Sequence, residues 1–212
     1  MLKKHLKKML ITSIVTILPI LVGLLLWNKL PESVPTHFDA AGNPDGWSSK
    51  LFAVVGLPLF LLAIHWFSIF VVLADPKRQN IGENIIGLIV WIVPVLAVFC
   101  SALTYTSALG VNIGVGKLSS VFMGLIFIIL GAMLPRCKQN YTVGIKVPWA
   151  LHDEDNWNHT HRFAGKLWVI GGVLFTILSL LISPTVAIFV LLPVGLAPVI
   201  YSYIYYVKHN KE

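Results

Sequence analysis

The stretch Ile85–Leu109, which reads IIGLIVWIVPVLAVFCSALTYTSAL, decides the fold class of this chain. Its 25 residues contain no Asp, Glu, Lys or Arg. A helix needs roughly 20 mostly apolar residues to cross the hydrocarbon core of a bilayer, which is about 30 Å thick. The stretch therefore predicts a helix that crosses a membrane.

Five further stretches have the same character. They are Met9–Trp27, Leu51–Ala74, Leu118–Leu134, Leu167–Ile182 and Val186–Val207. The fourth and fifth spans along the chain are short, and we expect the fifth to borrow length from the residues before Leu167. The sequence thus predicts an all-α fold, a polytopic integral membrane helix bundle of about six transmembrane helices.

The composition of the whole chain agrees with this fold class. Of its 212 residues, 57% are hydrophobic and only 12% are charged, and the mean hydropathy is +0.81. A soluble domain is about 45–50% apolar and about 25% charged. These values exclude an ordinary cytosolic enzyme, a disordered chain and a nucleic-acid-binding domain, so direct contact with nucleic acid is not expected despite a pI near 9.5.

The basic residues are divided unevenly among the connections between spans. The N-terminus, the Lys77-Arg78 pair, the segment 135–166 and the C-terminus hold 13 of the 16 Lys and Arg residues. Only Lys29, Lys50 and Lys117 lie in the other connections. The positive-inside rule then predicts that both termini and the segment 135–166 are cytoplasmic, and that the loop 28–50 faces outward.

The outward loop has the composition of a compact extracellular lid. Proline at 31 and 35 favours an extended start, and the run Asn43-Pro44-Asp45-Gly46 predicts a tight turn. His37 and Asp39 are too few to predict a metal site. We expect this lid to be the natural contact for any external ligand.

The inner segment 135–166 is the richest in polar and aromatic residues. Asp153 is placed to cap a helix whose first turn carries Glu154 and Asp155. A stripe along that helix at i, i+4, i+7 and i+11 consists of Trp157, His161, Ala164 and Trp168. This pattern predicts an amphipathic interfacial helix that leads into the fifth span.

Catalytic and cofactor motifs are missing from the sequence. The histidines at 152, 159 and 161 have poor spacing for zinc, and the chain contains no H-E-x-x-H, P-loop or nucleophile elbow. No acidic or basic residue lies inside the six stretches, which argues against ion-coupled transport. His65 is the ionisable group deep in a span, and it is either a proton relay or a neutral ring that hydrogen-bonds to a neighbouring helix. We therefore predict a protein that is not an enzyme and holds no metal or cofactor.

Two motifs resemble a known family. The run Asn140-Tyr141-Thr142-Val143-Gly144-Ile145-Lys146-Val147-Pro148-Trp149, with Trp157 and His161-Arg162-Phe163-Ala164-Gly165-Lys166 after it, resembles the signature of the SdpI family of bacterial membrane proteins. The outward loop, with Leu30-Pro31 through Pro35, His37-Phe38, Gly42, Pro44-Asp45-Gly46 and Ser49-Lys50, resembles the N-terminal module of unknown function often found in that family. This implies an N-terminal module over residues 1–80, with two spans and the loop, and an SdpI-like module over residues 81–212, with four spans.

The resemblance also implies a function, a location and partners. It points to a multi-pass protein of the bacterial plasma membrane that gives immunity to a secreted, membrane-active toxin peptide and that holds a transcriptional repressor at the membrane. The partners would then be membrane lipids, the toxin peptide outside and the repressor inside. A small membrane transporter or lipid-handling permease stays open as the alternative. The candidate binding residues are Asn140, Gly144, Lys146, Pro148, Trp149, Trp157, His161 and Arg162 inside, and His37, Asp39 and Asp45 outside.

Overall fold

The structure is a computed structural model that describes residues 2–209, with side chains from Leu6 onward. Its elements in chain order are α1 (Leu2–Leu25), β1 (Ser33–Phe38), β2 (Pro44–Ser49), α2 (Leu57–Ala74), α3 (Glu83–Ala108), α4 (Val115–Met133), α5 (Pro148–His152), α6 (Glu154–Leu181), α7 (Pro184–Ala187) and α8 (Leu191–His209). A π-helical turn over Phe52–Gly56 leads into α2.

Six helical segments among these described residues are long and apolar enough to cross a membrane. They are Leu6–Leu25, Phe52–Ala74, Glu83–Ala108, Val115–Arg136, Glu154–Leu181 and Pro184–His209. Each coincides with one predicted stretch, so the all-α, polytopic fold is confirmed. The fifth segment begins at Glu154 rather than at Leu167, because the amphipathic stretch and the span form one continuous helix.

The chain folds as two compact units. One contains the residues up to Leu73 together with Ile86–Val115, and the other contains Ala74–Ile85 together with the chain from Gly116 onward. The division into modules 1–80 and 81–212 concerns sequence motifs, and it stays a prediction.

Specific polar contacts join helices within the first unit. His65 on α2 is completely buried, and its Nε2 lies 3.0 Å from the Thr12 hydroxyl on α1. This geometry agrees with the reading of His65 as a ring that hydrogen-bonds to a neighbouring helix. A second contact joins α3 to α1, where the Tyr105 hydroxyl donates to the Pro19 carbonyl at 3.1 Å. Around Tyr105, the side chains of Leu30 and Val54 complete a small apolar core.

The loop 28–50 folds as an antiparallel hairpin of β1 and β2, a detail that the all-α prediction did not include. Ser33 pairs with Ser49 and Val34 with Ser48, and Val34 is completely buried. The predicted turn over residues 43–46 is wrong: the chain reverses over residues 39–43, where Gly42 has a φ of 92°. Pro44 instead begins β2, because the Asp39 carboxylate accepts from the Asn43 backbone and closes the turn one step earlier.

Glycines allow two helices of the second unit to pack at close range. A Cβ added at Gly131 of α4 would lie 2.8 Å from the Val169 nitrogen and 2.9 Å from the Gly165 carbonyl of α6. A Cβ at Gly124 would lie 2.8 Å from the Gly172 carbonyl. Both helices thus place glycines seven residues apart on the contact face, and small residues of this kind allow close backbone approach in membranes.

A buried polar cluster joins α6 to α8. The Asn156 side chain donates to the Ser202 carbonyl at 3.0 Å and accepts from the hydroxyls of Thr160 at 3.0 Å and Ser202 at 2.6 Å. All three residues are completely buried. Since these polar groups satisfy one another, the cluster fixes the register of α8 against α6 at little desolvation cost.

Candidate functional site

Residues 137–147 form a loop, here called the Asn140 loop, that is organised by the side chain of Asn140. Its Oδ1 accepts from the backbone N–H groups of Thr142 at 2.9 Å and Val143 at 2.7 Å. Its Nδ2 donates to the carbonyls of Lys138 at 2.8 Å and Val143 at 3.1 Å. Asn140 is completely buried, and its side-chain amide supplies the hydrogen bonds that these backbone groups would otherwise make in a helix or sheet. Asn140 was selected as a candidate binding residue, and a contact with a partner stays a prediction; in the structure its side chain bonds to the backbone of its own loop.

Asp75, which the sequence analysis did not select, holds this loop from outside. One carboxylate oxygen accepts from the Tyr141 N–H at 2.9 Å and from the Thr142 hydroxyl. The other accepts from the Lys77 N–H at 2.7 Å. Asp75 is only 5% exposed, so a buried carboxylate is satisfied by three donors. An acid beside the basic pair Lys77-Arg78 was the signal available in the sequence, but its partners in the loop, Tyr141 and Thr142, lie more than 60 residues away.

Lys77 and Gln139 continue this network. The Lys77 ammonium donates to the Gln139 side-chain oxygen and lies 5.4 Å from the centre of the Tyr141 ring. The Gln139 amide donates to the Ala150 carbonyl at 2.9 Å. The segment after α2, the Asn140 loop and the start of α5 are thereby tied together within one unit.

Trp157 and His161 form the floor under the loop. Their rings stack with centroids 4.0 Å apart, and both side chains are at most 1% exposed. Trp157 Nε1 donates to the Cys137 carbonyl at 2.7 Å. His161 Nδ1 lies 2.8 Å from the Trp157 carbonyl, while the Ile145 N–H donates to Nε2 at 3.0 Å. Since a carbonyl only accepts and an amide N–H only donates, the ring is neutral and carries its proton on Nδ1.

The stacked rings of Trp157 and His161 require a glycine at position 144. Its φ is +116°, a value that L side chains rarely adopt. A Cβ at this position would collide with His161 Nε2 and lie 3.0 Å from the Trp157 ring. The loop can cross the two rings only because residue 144 has no side chain.

Cys137 lies at the start of the loop and is 4% exposed. Burial raises the pKa of the Cys137 thiol, and the hydrogen bond from Asn140 opposes that shift in part. The thiol is therefore protonated at neutral pH and donates to the Val143 carbonyl at 3.3 Å. It acts as a packing residue of the loop rather than as a nucleophile.

The predicted charged residues lie at the surface. Lys146 and Arg162 are exposed, as is Pro148, which occupies the first position of α5. As candidate binding residues, these two cations either bind acidic groups of a partner or pair with Asp153–Asp155 in the same segment. Two of these acids have other partners: Asp153 caps α6 by accepting from two backbone N–H groups, and Asp155 accepts from the Tyr205 hydroxyl. Among the described residues, neither cation forms an ion pair with these acids, and their binding to an external acidic group stays a prediction.

Trp149 docks the other end of the segment. Its ring meets the edge of Tyr203 on α8 with centroids 5.3 Å apart, and Tyr206 lies 6.4 Å away. Trp149 and Trp157 thus both attach the segment 137–152 to the helices of its unit.

The three candidate residues of the hairpin do not form one group. His37 Nδ1 hydrogen-bonds to Asp45 Oδ1 at 2.5 Å across β1 and β2, and both side chains are exposed. Asp39 instead closes the turn. The side-chain and backbone hydrogen bonds from Asn43 hold the pKa of Asp39 below its usual value. Within the described part of the chain, no three His, Cys, Asp or Glu residues converge as metal ligands would.

Comparisons with known proteins place these two regions in separate sequence families. Residues 136–205 match the SdpI/YfhL protein family, and residues 14–62 match a domain of unknown function, DUF1648. The inner candidate residues from Asn140 to Arg162 fall within the first match, and His37, Asp39 and Asp45 fall within the second.

One curated relative covers nearly the whole chain. The immunity protein SdpI of Bacillus subtilis (strain 168) is 26% identical over 212 residues, which span 96% of this chain and 98% of the relative. No solved structure is significantly similar to the chain. The family resemblance is confirmed: the chain is a multi-pass protein of the bacterial plasma membrane that carries, over residues 136–205, the SdpI/YfhL family segment.

Proposed function

We propose that this protein gives its host resistance to a secreted, membrane-active toxin peptide. The observation that carries the proposal is the similarity to an immunity protein over 96% of the chain, which includes both the hairpin and the Asn140 loop. A shared activity is a better account of similarity in both soluble segments and all spans than a shared membrane fold alone.

The surface chemistry supports a binding role for both segments. The hairpin exposes 57% of Trp47 beside the exposed pair His37–Asp45, a combination of aromatic and charged groups that suits an amphipathic peptide. On the other segment, the Asn140 loop is held rigidly from below while Lys146 and Arg162 are exposed. A rigid backbone that presents free cations loses little entropy when a partner binds.

The distribution of basic residues along the sequence supports opposite sides of the membrane for the hairpin and the Asn140 loop. By the positive-inside rule the hairpin meets toxin outside, and the Asn140 loop is cytoplasmic. There it would hold a transcriptional repressor at the membrane when toxin is present, which adds signalling to immunity. Such coupling requires two arrangements of the helices that bind the partners with different affinities.

The permease alternative has less support. It calls for a hydrated path past an exposed His65, but His65 is completely buried against Thr12. A buried neutral ring between two helices is the usual arrangement of a structural contact.

Survival of a toxin-sensitive bacterium tests the proposal. The strain would express the wild-type chain, Lys146→Ala, Arg162→Ala or Lys138→Ala at equal membrane abundance, and would be challenged with an SdpI-type toxin peptide. Lys138→Ala is the matched control, because it removes one exposed positive charge from the same loop outside the candidate set.

We expect the wild type and Lys138→Ala to protect. Loss of protection in Lys146→Ala or Arg162→Ala would place that residue in the mechanism. A wild-type chain that reaches the membrane and gives no protection would refute the immunity proposal.

A further inference from the structure

The hairpin of β1 and β2 has two outer edges. In the described part of the chain, its sheet contains only these two strands. The backbone N–H and C=O groups that point outward from an edge strand have no partner within the sheet, so such an edge is a template for a further strand. The two edges of this hairpin differ in how well they suit that addition.

The pairing register shows which backbone groups point outward. The Lys50 N–H donates to the Glu32 carbonyl at 2.9 Å, so these residues form a hydrogen-bonded pair. Hydrogen-bonded and non-hydrogen-bonded pairs alternate along an antiparallel ladder. The next three pairs are Ser33 with Ser49, Val34 with Ser48, and Pro35 with Trp47. The backbone groups of Ser49 and Trp47 therefore point away from β1.

The outer edge of β1 is closed to a further strand. Ser33 and Pro35 are the residues whose backbone faces this edge, and Pro35 has no N–H to donate. Pro35 is also buried, as is its neighbour Val34. Since proline on an edge prevents strand addition, a partner strand is directed to the other edge.

The outer edge of β2 is open. Trp47 and Ser49 are exposed, and each offers one N–H and one carbonyl oxygen along this edge. The Trp47 side chain is 57% exposed and offers apolar surface to a side chain of an added strand. Leu51 and Phe52, which follow shortly after β2, are also exposed. This edge thus provides both backbone partners and apolar contacts.

The charge of the hairpin indicates what kind of strand would add. Asp39 and Asp45 are exposed near its tip. Asp45 hydrogen-bonds to His37, and an ionised carboxylate with one such bond keeps further acceptor sites. Lys50 at the base is buried and pairs with Glu32 at 2.8 Å. The acidic tip suits a strand with basic residues, which are common in membrane-active peptides. The β2 strand of a second copy, PDGWSS, has none.

We propose that the toxin peptide binds by adding an extended segment to the outer edge of β2 as a third strand. Main-chain hydrogen bonds to Trp47 and Ser49 supply affinity for any extended backbone. An apolar side chain against Trp47 and a basic side chain beside Asp45 supply specificity. This binding mode rests on the proposed immunity function, and it adds to that function a surface and a partner of defined chemistry: a basic, amphipathic segment in extended conformation.

Proline substitutions test the two edges separately. Ser49→Pro removes an outward N–H from the β2 edge, and Ser33→Pro removes one from the β1 edge directly opposite. Neither N–H serves the ladder within the hairpin, so both variants should fold. Ser49→Ala is the further comparison, because it also removes the hydroxyl that accepts from the Phe52 N–H but keeps the backbone N–H.

The assay measures binding of a fluorescently labelled SdpI-type toxin peptide to the full-length protein in lipid nanodiscs. Thermal unfolding checks that each variant is folded. We expect Ser33→Pro to bind as tightly as the wild type. Ser49→Pro should bind at least about fivefold more weakly than Ser49→Ala, because its missing N–H leaves a carbonyl of the peptide unpaired.

Hydrogen exchange gives a second readout that needs no variant. In the free protein, the outward amides of Trp47 and Ser49 should exchange faster than the Ser48 amide, which faces β1. Addition of the peptide should slow the exchange at Trp47 and Ser49. Residue-resolved NMR of the protein in nanodiscs, with and without peptide, measures these rates.

Three results would overturn strand addition and leave immunity in place. In the first, the wild type binds the peptide and protects cells, but Ser49→Pro binds as tightly as Ser49→Ala. In the second, both outward amides still exchange fast with peptide bound. In the third, they exchange slowly without peptide at high protein concentration, which would assign the edge to a second copy of the chain. A wild-type chain that neither binds the peptide nor protects cells would instead refute the immunity proposal, and strand addition with it.

Discussion

Replacing Gly144 by alanine is the most direct test of how the Asn140 loop is built. The change adds one methyl group at a residue with a φ of +116°, directly over the rings of His161 and Trp157. Backbone strain of this kind costs about 1–3 kcal/mol, and overpacking adds about 1–3 kcal/mol. The loop should therefore lose at least about 2 kcal/mol of local stability.

Cys137 reports that loss, because its thiol is buried beneath the loop and reacts only when the loop opens. The assay measures the rate of alkylation by N-ethylmaleimide at neutral pH in a Cys100→Ser background, which leaves Cys137 as the sole cysteine. Each 1.4 kcal/mol changes the open population about tenfold. Gly144→Ala should thus accelerate the labelling of Cys137 by at least about 30-fold.

Gly110→Ala is the matched control. Gly110 also has a positive φ, of 76°, but a Cβ there would meet nothing within 4 Å, and the residue belongs to the first unit. This variant should leave the labelling rate of Cys137 within about twofold of the wild type. If Gly144→Ala labels no faster than Gly110→Ala, the proposed packing of the loop over His161 and Trp157 is wrong.

Three further changes test other parts of the structure. Gly131→Ala should lower the free energy of unfolding by about 1–3 kcal/mol, because the added methyl group separates α4 from α6. Gly195→Ala is the control, since that position has open space around it. Thermal unfolding in detergent compares the two variants, and equal effects would contradict the glycine contact. Asp75→Asn should lower the local stability of the Asn140 loop by about 2 kcal/mol, because the NH₂ group of the amide would face an N–H or O–H group that donates to the carboxylate. Faster alkylation of Cys137 would reveal the loss. An unchanged rate would show that Asp75 does not stabilise the loop. The pKa of Asp39 is lowered in the folded chain, so its stabilisation of the turn is present above the pKa of the unfolded chain and is lost as pH falls through the folded value. The hydrogen bond with Asn43 should therefore persist in mild acid. NMR titration of the Asn43 amide measures this, and an Asp39 pKa at or above the ordinary value would refute the assignment.

Much of the architecture follows from short-range patterns. Each span was predictable because membrane insertion depends on the hydrophobicity of about 20 consecutive residues. The cap of α6 by Asp153 was predictable for a similar reason, since a cap bonds to backbone groups two and three residues away. The burial of Trp157, His161 and Ala164 along one helix face followed from the helical repeat.

The hairpin shows where local rules compete. Asn43-Pro44-Asp45-Gly46 has every residue preference of a turn, but the turn forms over residues 39–43. Two adjacent segments could both reverse the chain, and the pairing of Val34 with Ser48 decides between them because it buries Val34 completely. Strand register is a property of both strands together, so neither segment alone contains the answer.

The sequence by itself determined that this is a six-span membrane protein with a compact loop between the first two spans and a motif-rich segment before the fifth, because each of these properties depends on neighbouring residues in the chain. Only the tertiary structure decided what the motif residues do. Asn140, Gly144, Trp157 and His161 turn inward and build the Asn140 loop, while Lys146 and Arg162 are left at the surface. It also brought Asp75 to Thr142. The physical reason is that hydrogen bonds between distant segments depend on which helix faces meet, and the packing of side chains in three dimensions sets that outcome.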